Sequence, residues 1–215
     1  MKLTNNIFSN SIIGSSPDIL SCIHLANKSI AIYARNISYF QNEIESLINN
    51  NVEFKTSGSI KDISEALNHY FNSSPQKYNN LLKDILELLV TFQKVSKSDT
   101  LRVLLATVNT NMCKRFHTDI NDLRMLCTYY GPGTLWLKDE NTNRTVDDSC
   151  VNIDEIIKDE SRVQQISTGH VAILKGAIYP KKETKAIVHR SPTIEESGDK
   201  RLLLRIDTNE FLNFT

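Results

Sequence analysis

The stretch LRMLCTYYGPGTLWL, residues 123–137, places two apolar and aromatic runs on either side of a Gly-Pro-Gly turn. Short runs of this kind, separated by a tight turn, are typical of two adjacent β-strands. Similar runs precede and follow it, bounded by Gly, Pro, Asn or Asp: LRVLLATV (101–108), HVAILKG (170–176), AIVH (186–189) and RLLLRI (201–206). So many short strands in one half of the chain predict a sandwich or barrel from residue 100 onward.

The first half of the chain has apolar residues at helical spacing instead. Two helix starts fit a capping box, Ser38 with Gln41 and Ser59 with Asp62, and a third helix is expected from Ser74. Two short apolar runs are predicted to add edge strands to the sheet: SIAIYAR (29–35) and VEFK (52–55). Because a helix with one apolar face needs a surface to cover, we expect these helices to pack on the outside of the β-rich half.

The length of 215 residues suits one domain with a single core. We therefore expect one α+β domain over residues 1–215, mainly helical in 1–99 and β-rich in 100–215. A polar stretch, residues 138–169, interrupts the strand pattern and predicts an inserted segment that covers a site, with one helical turn around 153–157.

Charge and composition exclude several classes of partner. Lys plus Arg and Asp plus Glu both number 25, so no overall field attracts a nucleic acid or an anionic membrane. No apolar segment is long enough for a signal peptide or a membrane span. The 4 cysteines form no C-x-x-C pair, which favours reduced thiols. These features predict a soluble, cytoplasmic protein.

The motif RFHTD, residues 115–119, carries the chemistry. On a strand, residues i and i+2 share a face, so His117 and Asp119 are expected to point the same way. An imidazole and a carboxylate side by side suit Fe(II), Mn(II) or Zn(II), with His189 as the third ligand after AIVH. An isolated H-x-D is commonly only a hydrogen-bonded pair. Cys113 is either a fourth, sulfur ligand that favours zinc or a small buried residue.

The order of these motifs resembles the Fe(II)- and 2-oxoglutarate-dependent oxygenases, particularly the prolyl-hydroxylase-like branch. The resemblance covers residues 100–207 and implies a double-stranded β-helix, a jelly-roll or cupin-like core. It implies that His117, Asp119 and His189 bind iron and that Arg201 binds the distal carboxylate of 2-oxoglutarate. Arg205 is the alternative anchor. Two departures are Gly169-His170, where the class has Gly-Asp, and Gly-Pro-Gly, where it has a Gly-Gly-type turn.

Tyr129 is a further candidate in the cosubstrate pocket, and the alternative is a core tyrosine with a bonded hydroxyl. The chain is also similar to a bacterial family of unknown function at RFHTD, TYYGPGT, HRSP and RLLLRID. That similarity implies an association with zinc limitation and no established activity.

Three functions remain open on the sequence. The leading one is a non-haem Fe(II)/2-oxoglutarate-dependent oxygenase of hydroxylase type, acting on an unassigned small-molecule or peptide substrate. The principal alternative is a protein that uses the same ligands to bind Zn(II) for storage, delivery or sensing. The third is a non-catalytic interaction module, because fold alone does not determine activity.

Overall fold

The computed structural model describes residues 9–74, 76–144, 156–180 and 184–208. Within these residues, ten strands form two sheets. The strands are β1 (Ser11–Gly14), β2 (Ile30–Tyr33), β3 (Glu53–Gly58), β4 (Leu101–Val108), β5 (Leu123–Tyr130), β6 (Leu135–Trp136), β7 (Gln164–Gln165), β8 (Val171–Lys175), β9 (His189–Arg190) and β10 (Arg201–Thr208). The larger sheet has the order β1-β2-β8-β5-β10-β4-β3 and the smaller one β7-β6-β9.

The connectivity from β4 onward defines the fold. Neighbours in both sheets are antiparallel, except for the parallel pair of β1 and β2. The chain passes from β4 to a bridge between His117 and His189 beside the smaller sheet, and then returns to β5 in the larger one. It goes on through β6 and β7, back to β8, across to β9 and back to β10. This alternation between two antiparallel sheets is that of a double-stranded β-helix.

The strand predictions hold for the long runs and fail at one short run. AIVH was expected to be a strand, but residues 186–188 are not in a ladder, and only His189–Arg190 pairs. The reason is that the Ile187 amide donates to the carbonyl of Lys175, the last residue of β8. The sequence pattern also missed β1, a four-residue strand that pairs in parallel with β2.

Three α-helices precede the β-helix: α1 (Gln41–Asn49), α2 (Ile60–Asn72) and α3 (Asn79–Ser96). The predicted capping box at the start of α2 is confirmed, since the Ser59 and Asp62 side chains each accept from the other's amide. The predicted box at Ser38 is wrong, because Ser38 lies in a 3₁₀ turn and no side chain caps α1.

The predicted start of α3 at Ser74 is also wrong. The helix begins five residues later, at Asn79. The Glu43 carboxylate of α1 accepts hydrogen bonds from the amides of Asn80 at 3.2 Å and Leu81 at 2.8 Å. An acceptor from another helix therefore satisfies the first free amides, which a local sequence pattern does not reveal.

The larger sheet separates two hydrophobic clusters. One cluster joins the helices to alternate sheet residues, including Leu105, Met125 and Leu204. The other fills the space between the two sheets and contains Leu126, Trp136 and Leu203. Because successive strand residues point to opposite faces, residue parity decides whether a side chain contacts the helices or the barrel interior.

Of the stretch 138–169, the structure describes 138–144 and 156–169. Its strand β7 belongs to the smaller sheet, and a bridge between Thr142 and Ile157 joins its two described parts to each other. Most of the helical turn expected at 153–157 lies outside the described residues. No helix in the described part of the chain has the length and apolar character needed to cross a bilayer.

Candidate metal centre

The structure brings the three expected metal ligands together. His117, Asp119 and His189 each offer one ligand atom, and these atoms all lie within 4.8 Å of one another. The His117 Nε2 lies 3.6 Å from Asp119 Oδ1, and the His189 Nε2 lies 3.3 Å from Asp119 Oδ2. Among the described residues, this is the only group of three or more His, Cys, Asp or Glu side chains spaced closely enough to hold a metal ion.

Backbone pairing places the two histidines side by side. The amide of each donates to the carbonyl of the other at 3.0 Å, and the ring centroids lie 4.7 Å apart. His189 is also paired with Trp136 across β9 and β6. Directly paired residues of antiparallel strands project on the same side, so the ladder itself aims both rings at Asp119.

Each histidine is held in the orientation that a metal ligand needs. The Nδ1 of His117 lies 2.9 Å from the Arg115 carbonyl, and that of His189 lies 3.3 Å from the Ile187 carbonyl. A proton on Nδ1 satisfies each carbonyl, so Nε2 is the nitrogen that faces Asp119 and that can bind a metal once it gives up its proton. This second hydrogen bond is the usual way in which proteins fix the tautomer of a metal-binding histidine.

The loop that carries Asp119 is clamped to the end of β8. The Ala177 amide donates to the Asp119 carbonyl at 2.7 Å, and the Gly176 amide donates to the Asp122 carbonyl at 2.9 Å. A Cβ added at position 176 would lie 2.1 Å from the Asn121 carbonyl oxygen. Glycine is therefore required for this close approach of two backbones.

The Asp119 carboxylate is ionised and oriented by its neighbours. Arg124 Nη1 donates to Asp119 Oδ2 at 2.6 Å, and Arg124 Nε donates to Asp207 Oδ1 at 2.6 Å. Burial opposes ionisation of Asp119, but hydrogen bonds from His117 and His189 and the Arg124 charge hold its pKa well below the usual range. The hydrogen bond to Asp119 in turn raises the pKa of His117. A permanent anion beside two imidazoles that give up their Nε2 protons to a metal is a donor set suited to Fe(II) or Zn(II).

Arg201 lies elsewhere in the barrel interior and is only 1% exposed. Its Nη2 donates to Thr128 Oγ1 at 3.1 Å and to Thr134 Oγ1 at 3.3 Å, while its Nε is buried without a hydrogen bond. In the described ranges, no carboxylate forms an ion pair with this guanidinium, and burial lowers its pKa to about 10. A buried cation without a counter-ion is costly, and such a group is typical of a ligand site.

The Arg201 contacts also relate it to the metal centre. Thr134 is two residues before Trp136, the β6 residue paired with His189. Two residues of extended chain span about 7 Å, so the guanidinium contacts the residue just before β6, one short step from the partner of His189. The Gly-Pro-Gly turn holds Thr134 in place, because a Cβ at Gly133 would lie 1.8 Å from the Ile166 carbonyl oxygen.

The structure places the three remaining candidates, Arg205, Tyr129 and Cys113, in different environments. Arg205 shares the interior face with Arg201, but it is partly exposed and its Nε lies 3.0 Å from Asp207 Oδ2. Tyr129 does not line the interior: it belongs to the helix-side cluster, and its hydroxyl donates to Asp84 at 2.6 Å. The pocket role for Tyr129 is therefore wrong, because odd-numbered residues of β5 face the helices. The Cys113 side chain is exposed and is not a member of the ligand cluster.

Sequence reasoning missed Arg124 and Asp207. Arg124 is the one charged residue of β5, and it is the direct partner of Asp207 in the ladder of β5 and β10. A single charge in an otherwise mainly apolar strand is the signal that was available. The strand register that pairs Arg124 with Asp207 cannot be obtained from the sequence alone.

Comparison with known proteins identifies the family. A family model described as "Protein of unknown function (DUF1826)" matches residues 14–207. The chain belongs to that family. None of the curated proteins matches the chain.

Solved structures share the fold at low sequence identity. Dioxygenase for auxin oxidation 1 from Arabidopsis thaliana, in a binary complex with 2-oxoglutarate, has a TM-score of 0.52 and 8% identity, over 92% of this chain and 91% of that chain. A prolyl-4-hydroxylase from Pseudomonas putida has a TM-score of 0.43 and 9% identity, over 89% and 96%. The Fe(II)/α-ketoglutarate-dependent dioxygenase TqaL has a TM-score of 0.44 and 13% identity, over 80% and 74%. At such identities the first likeness shows the double-stranded β-helix fold alone.

Proposed function

We propose that the protein is a non-haem Fe(II)/2-oxoglutarate-dependent oxygenase of hydroxylase type. The observation that carries this proposal is Arg201, a buried guanidinium that lacks a carboxylate partner in the described residues and shares the barrel interior with the metal centre. A dicarboxylate cosubstrate supplies the missing partner when one carboxylate pairs with Arg201 and the other end reaches the metal. The double-stranded β-helix fold supports the same assignment.

Each group in the site has a defined task. His117, Asp119 and His189 would hold Fe(II) through two imidazole nitrogens and one carboxylate oxygen. Arg124 fixes the Asp119 carboxylate, and Thr128 and Thr134 fix the Arg201 guanidinium. The bound metal supplies the oxygen-activating redox chemistry, and the apolar interior around Leu126 and Leu203 keeps water out. The stretch 138–169 is the candidate cover over the substrate.

The zinc-binding alternative uses the same three ligands and gives Arg201 no task. A storage, delivery or sensing protein needs its metal ligands, but not a buried cation in the same interior. The arginine therefore favours the oxygenase, with Arg201 rather than the paired Arg205 as the anchor.

The test is anaerobic titration of the Fe(II)-loaded protein with 2-oxoglutarate, followed by the visible charge-transfer absorption of the chelate. We expect Arg201→Ala to keep its metal and to bind 2-oxoglutarate about 2–4 kcal/mol more weakly, because one carboxylate loses its buried partner. His117→Ala should lose the metal, since two ligands chelate poorly. Arg205→Ala is the matched control and should behave as wild type.

The other functions give different results in the same experiment. Tight zinc binding without the absorption band in wild type would support the metal carrier. Absence of any metal binding would support the interaction module. A normal band in Arg201→Ala together with a lost band in Arg205→Ala would keep the oxygenase and move the anchor to Arg205.

A further inference from the structure

Two further arginines, Arg102 and Arg205, line a cavity toward the end of β10 opposite Arg201. A cavity of about 360 Å³ opens beside β3, β4 and β10, and its lining includes Arg102, Arg205 and Asp207. Cavities of this size accommodate a small molecule or a functional group of one. Arg201 and Asp207 are six residues apart, about 20 Å along the strand, so the cavity is separate from the proposed cosubstrate anchor.

Strand register places this cavity next to the metal centre. Asp207 is paired with Arg102 on β4 and with Arg124 on β5. Arg124 is also the residue that bonds the metal-ligating Asp119. Arg124 therefore connects the metal ligand Asp119 directly to Asp207 in the cavity lining. All three residues lie on or beside the interior face of the larger sheet.

The cavity has more guanidinium groups than its carboxylates satisfy. Asp207 Oδ1 accepts from Arg124 Nε at 2.6 Å, and Asp207 Oδ2 lies 3.0 Å from Arg205 Nε. Arg102 forms no ion pair with any carboxylate of the described residues. The Nε atoms of Arg102 and Arg205 are both buried without a hydrogen bond, so the Arg205 contact is an ion pair only.

The charge balance in the cavity favours an anion. Two guanidinium groups, of Arg102 and Arg205, line the cavity together with one carboxylate, of Asp207, and that carboxylate also accepts a hydrogen bond from Arg124. Lys55 also lines the cavity, but its ammonium group pairs with Glu53. A divalent metal on Asp119 would increase the positive excess further. Buried polar nitrogens that lack partners indicate a group that is supplied from outside the chain.

We propose that this cavity binds the oxyanion group, a carboxylate or a phosphate, of the primary substrate. The inference rests on the proposed function, because it is the metal centre next door that makes the ligand a substrate. Arg102 and Arg205 face the cavity from neighbouring strands and offer paired N–H groups, the geometry that planar and tetrahedral oxyanions accept. The substrate would then enter beside β4 while the cosubstrate lies toward Arg201.

The experiment is calorimetric titration of the full-length protein, kept metal-free with EDTA, with inorganic phosphate and separately with acetate. Without metal, anion binding at the metal itself does not contribute. We expect at least one probe to bind, with Arg102→Gln and Arg205→Gln each weakening it about 10- to 100-fold, as loss of a charge-assisted hydrogen bond predicts. Phosphate binding alone indicates a phosphate-bearing substrate, and acetate binding alone indicates a carboxylate-bearing one.

Arg162→Gln is the matched control, because this arginine is half-exposed and pairs with Glu140 away from the cavity. Equal weakening in Arg162→Gln, or no binding of either probe to the wild type, would overturn the inference. If Arg102→Gln does not fold, phenylglyoxal labelling of the wild type replaces it. Phosphate or acetate should then protect Arg102 and Arg205, but not Arg162, in peptide mass spectrometry, and equal labelling of all three would also overturn it.

The two proposals fail separately. Lost anion binding with an intact Fe(II)-2-oxoglutarate chelate contradicts only the substrate site. Anion binding at Arg102 without any chelate contradicts the oxygenase and leaves an anion-binding cavity.

Discussion

The two faces of the larger sheet both bury arginines, but they differ in how each charge is satisfied. On the helix face, Arg35 forms a two-pronged ion pair with Asp84, and its Nε donates to the Gly169 carbonyl at 2.9 Å. The Tyr129 hydroxyl donates to the same Asp84 carboxylate at 2.6 Å. On the interior face, Arg201 has two hydroxyl acceptors and no carboxylate in the described chain.

The difference distinguishes a structural charge from a functional one. A fully paired buried network ties α3 to the sheet and leaves no donor for a ligand. An incompletely paired arginine lowers the stability of the free protein and provides binding energy when an anion arrives. Substitutions on the helix face should therefore change mainly the stability of the protein. Substitutions on the interior face should change mainly its binding of an anion.

The largest effect is expected from Asp84→Ala on the helix face. It should lower the free energy of unfolding by about 3–5 kcal/mol, because Arg35 keeps its charge in a buried site and loses its partner. Urea unfolding measures this. Glu87→Ala on the same helix is the control, since Glu87 is exposed and its contact with Lys83 is 4.0 Å long. A loss no larger than that of the control would show that the network does not stabilise the fold.

A smaller change of opposite sign is expected from Arg201→Met on the interior face. Removal of a buried cation that has no ion-pair partner should leave the unfolding free energy of the metal-free protein unchanged or raise it by about 1–2 kcal/mol. Arg35→Met is the matched control and should destabilise, because it leaves Asp84 buried and unpaired. If Arg201→Met destabilises as strongly as Arg35→Met, Arg201 is a structural residue.

An effect confined to alkaline pH concerns the thiol beside the helix-side network. Burial raises the pKa of Cys127 to about 12, and burial also raises the pKa of Tyr129. Folded protein therefore holds these protons more tightly than unfolded chain, so this contribution is fully present below pH 9, the ordinary thiol pKa, and is lost as pH rises from 9 to 12. Unfolding titrations over this range should show the decline, and Cys127→Ala should reduce it. An unchanged slope in Cys127→Ala would contradict the assignment.

Alkylation of the native protein near pH 8 provides an independent measurement. Iodoacetamide should modify the exposed Cys113 and spare the buried Cys127 in peptide mass spectrometry. Rapid labelling of Cys127 would mean that the helix layer opens readily.

Local patterns predicted the parts of the fold that depend on neighbouring residues. The runs at 101–108, 123–130 and 201–206 are strands, and the box at Ser59 starts α2. The failures occur where a distant residue decides the structure. Glu43 of α1 starts α3, and the Lys175 carbonyl takes the Ile187 amide from the expected AIVH strand.

The candidate site divides in the same way. The spacing of H-x-D predicted His117 and Asp119, the position of His189 after AIVH predicted the third ligand, and the resemblance to the oxygenases implied Arg201. Successive residues of β5 point to opposite faces of the sheet. Tyr129 therefore faces the helices, and Arg124 faces the metal ligands. The proposed choice of Arg201 over Arg205 likewise rests on the position of Asp207 beside Arg205, which the sequence does not reveal.

The sequence by itself predicted a run of short strands from residue 100 onward and three candidate metal ligands, because these follow from residue type and spacing. The β-helix and the two candidate arginines came from the resemblance to the oxygenases. Only the tertiary structure decided which charges are paired. Ion pairs such as Arg35 with Asp84 and Arg124 with Asp207 join residues that are far apart in the chain. Their energy depends on distance and burial, and both quantities exist only once the sheets and helices have come together.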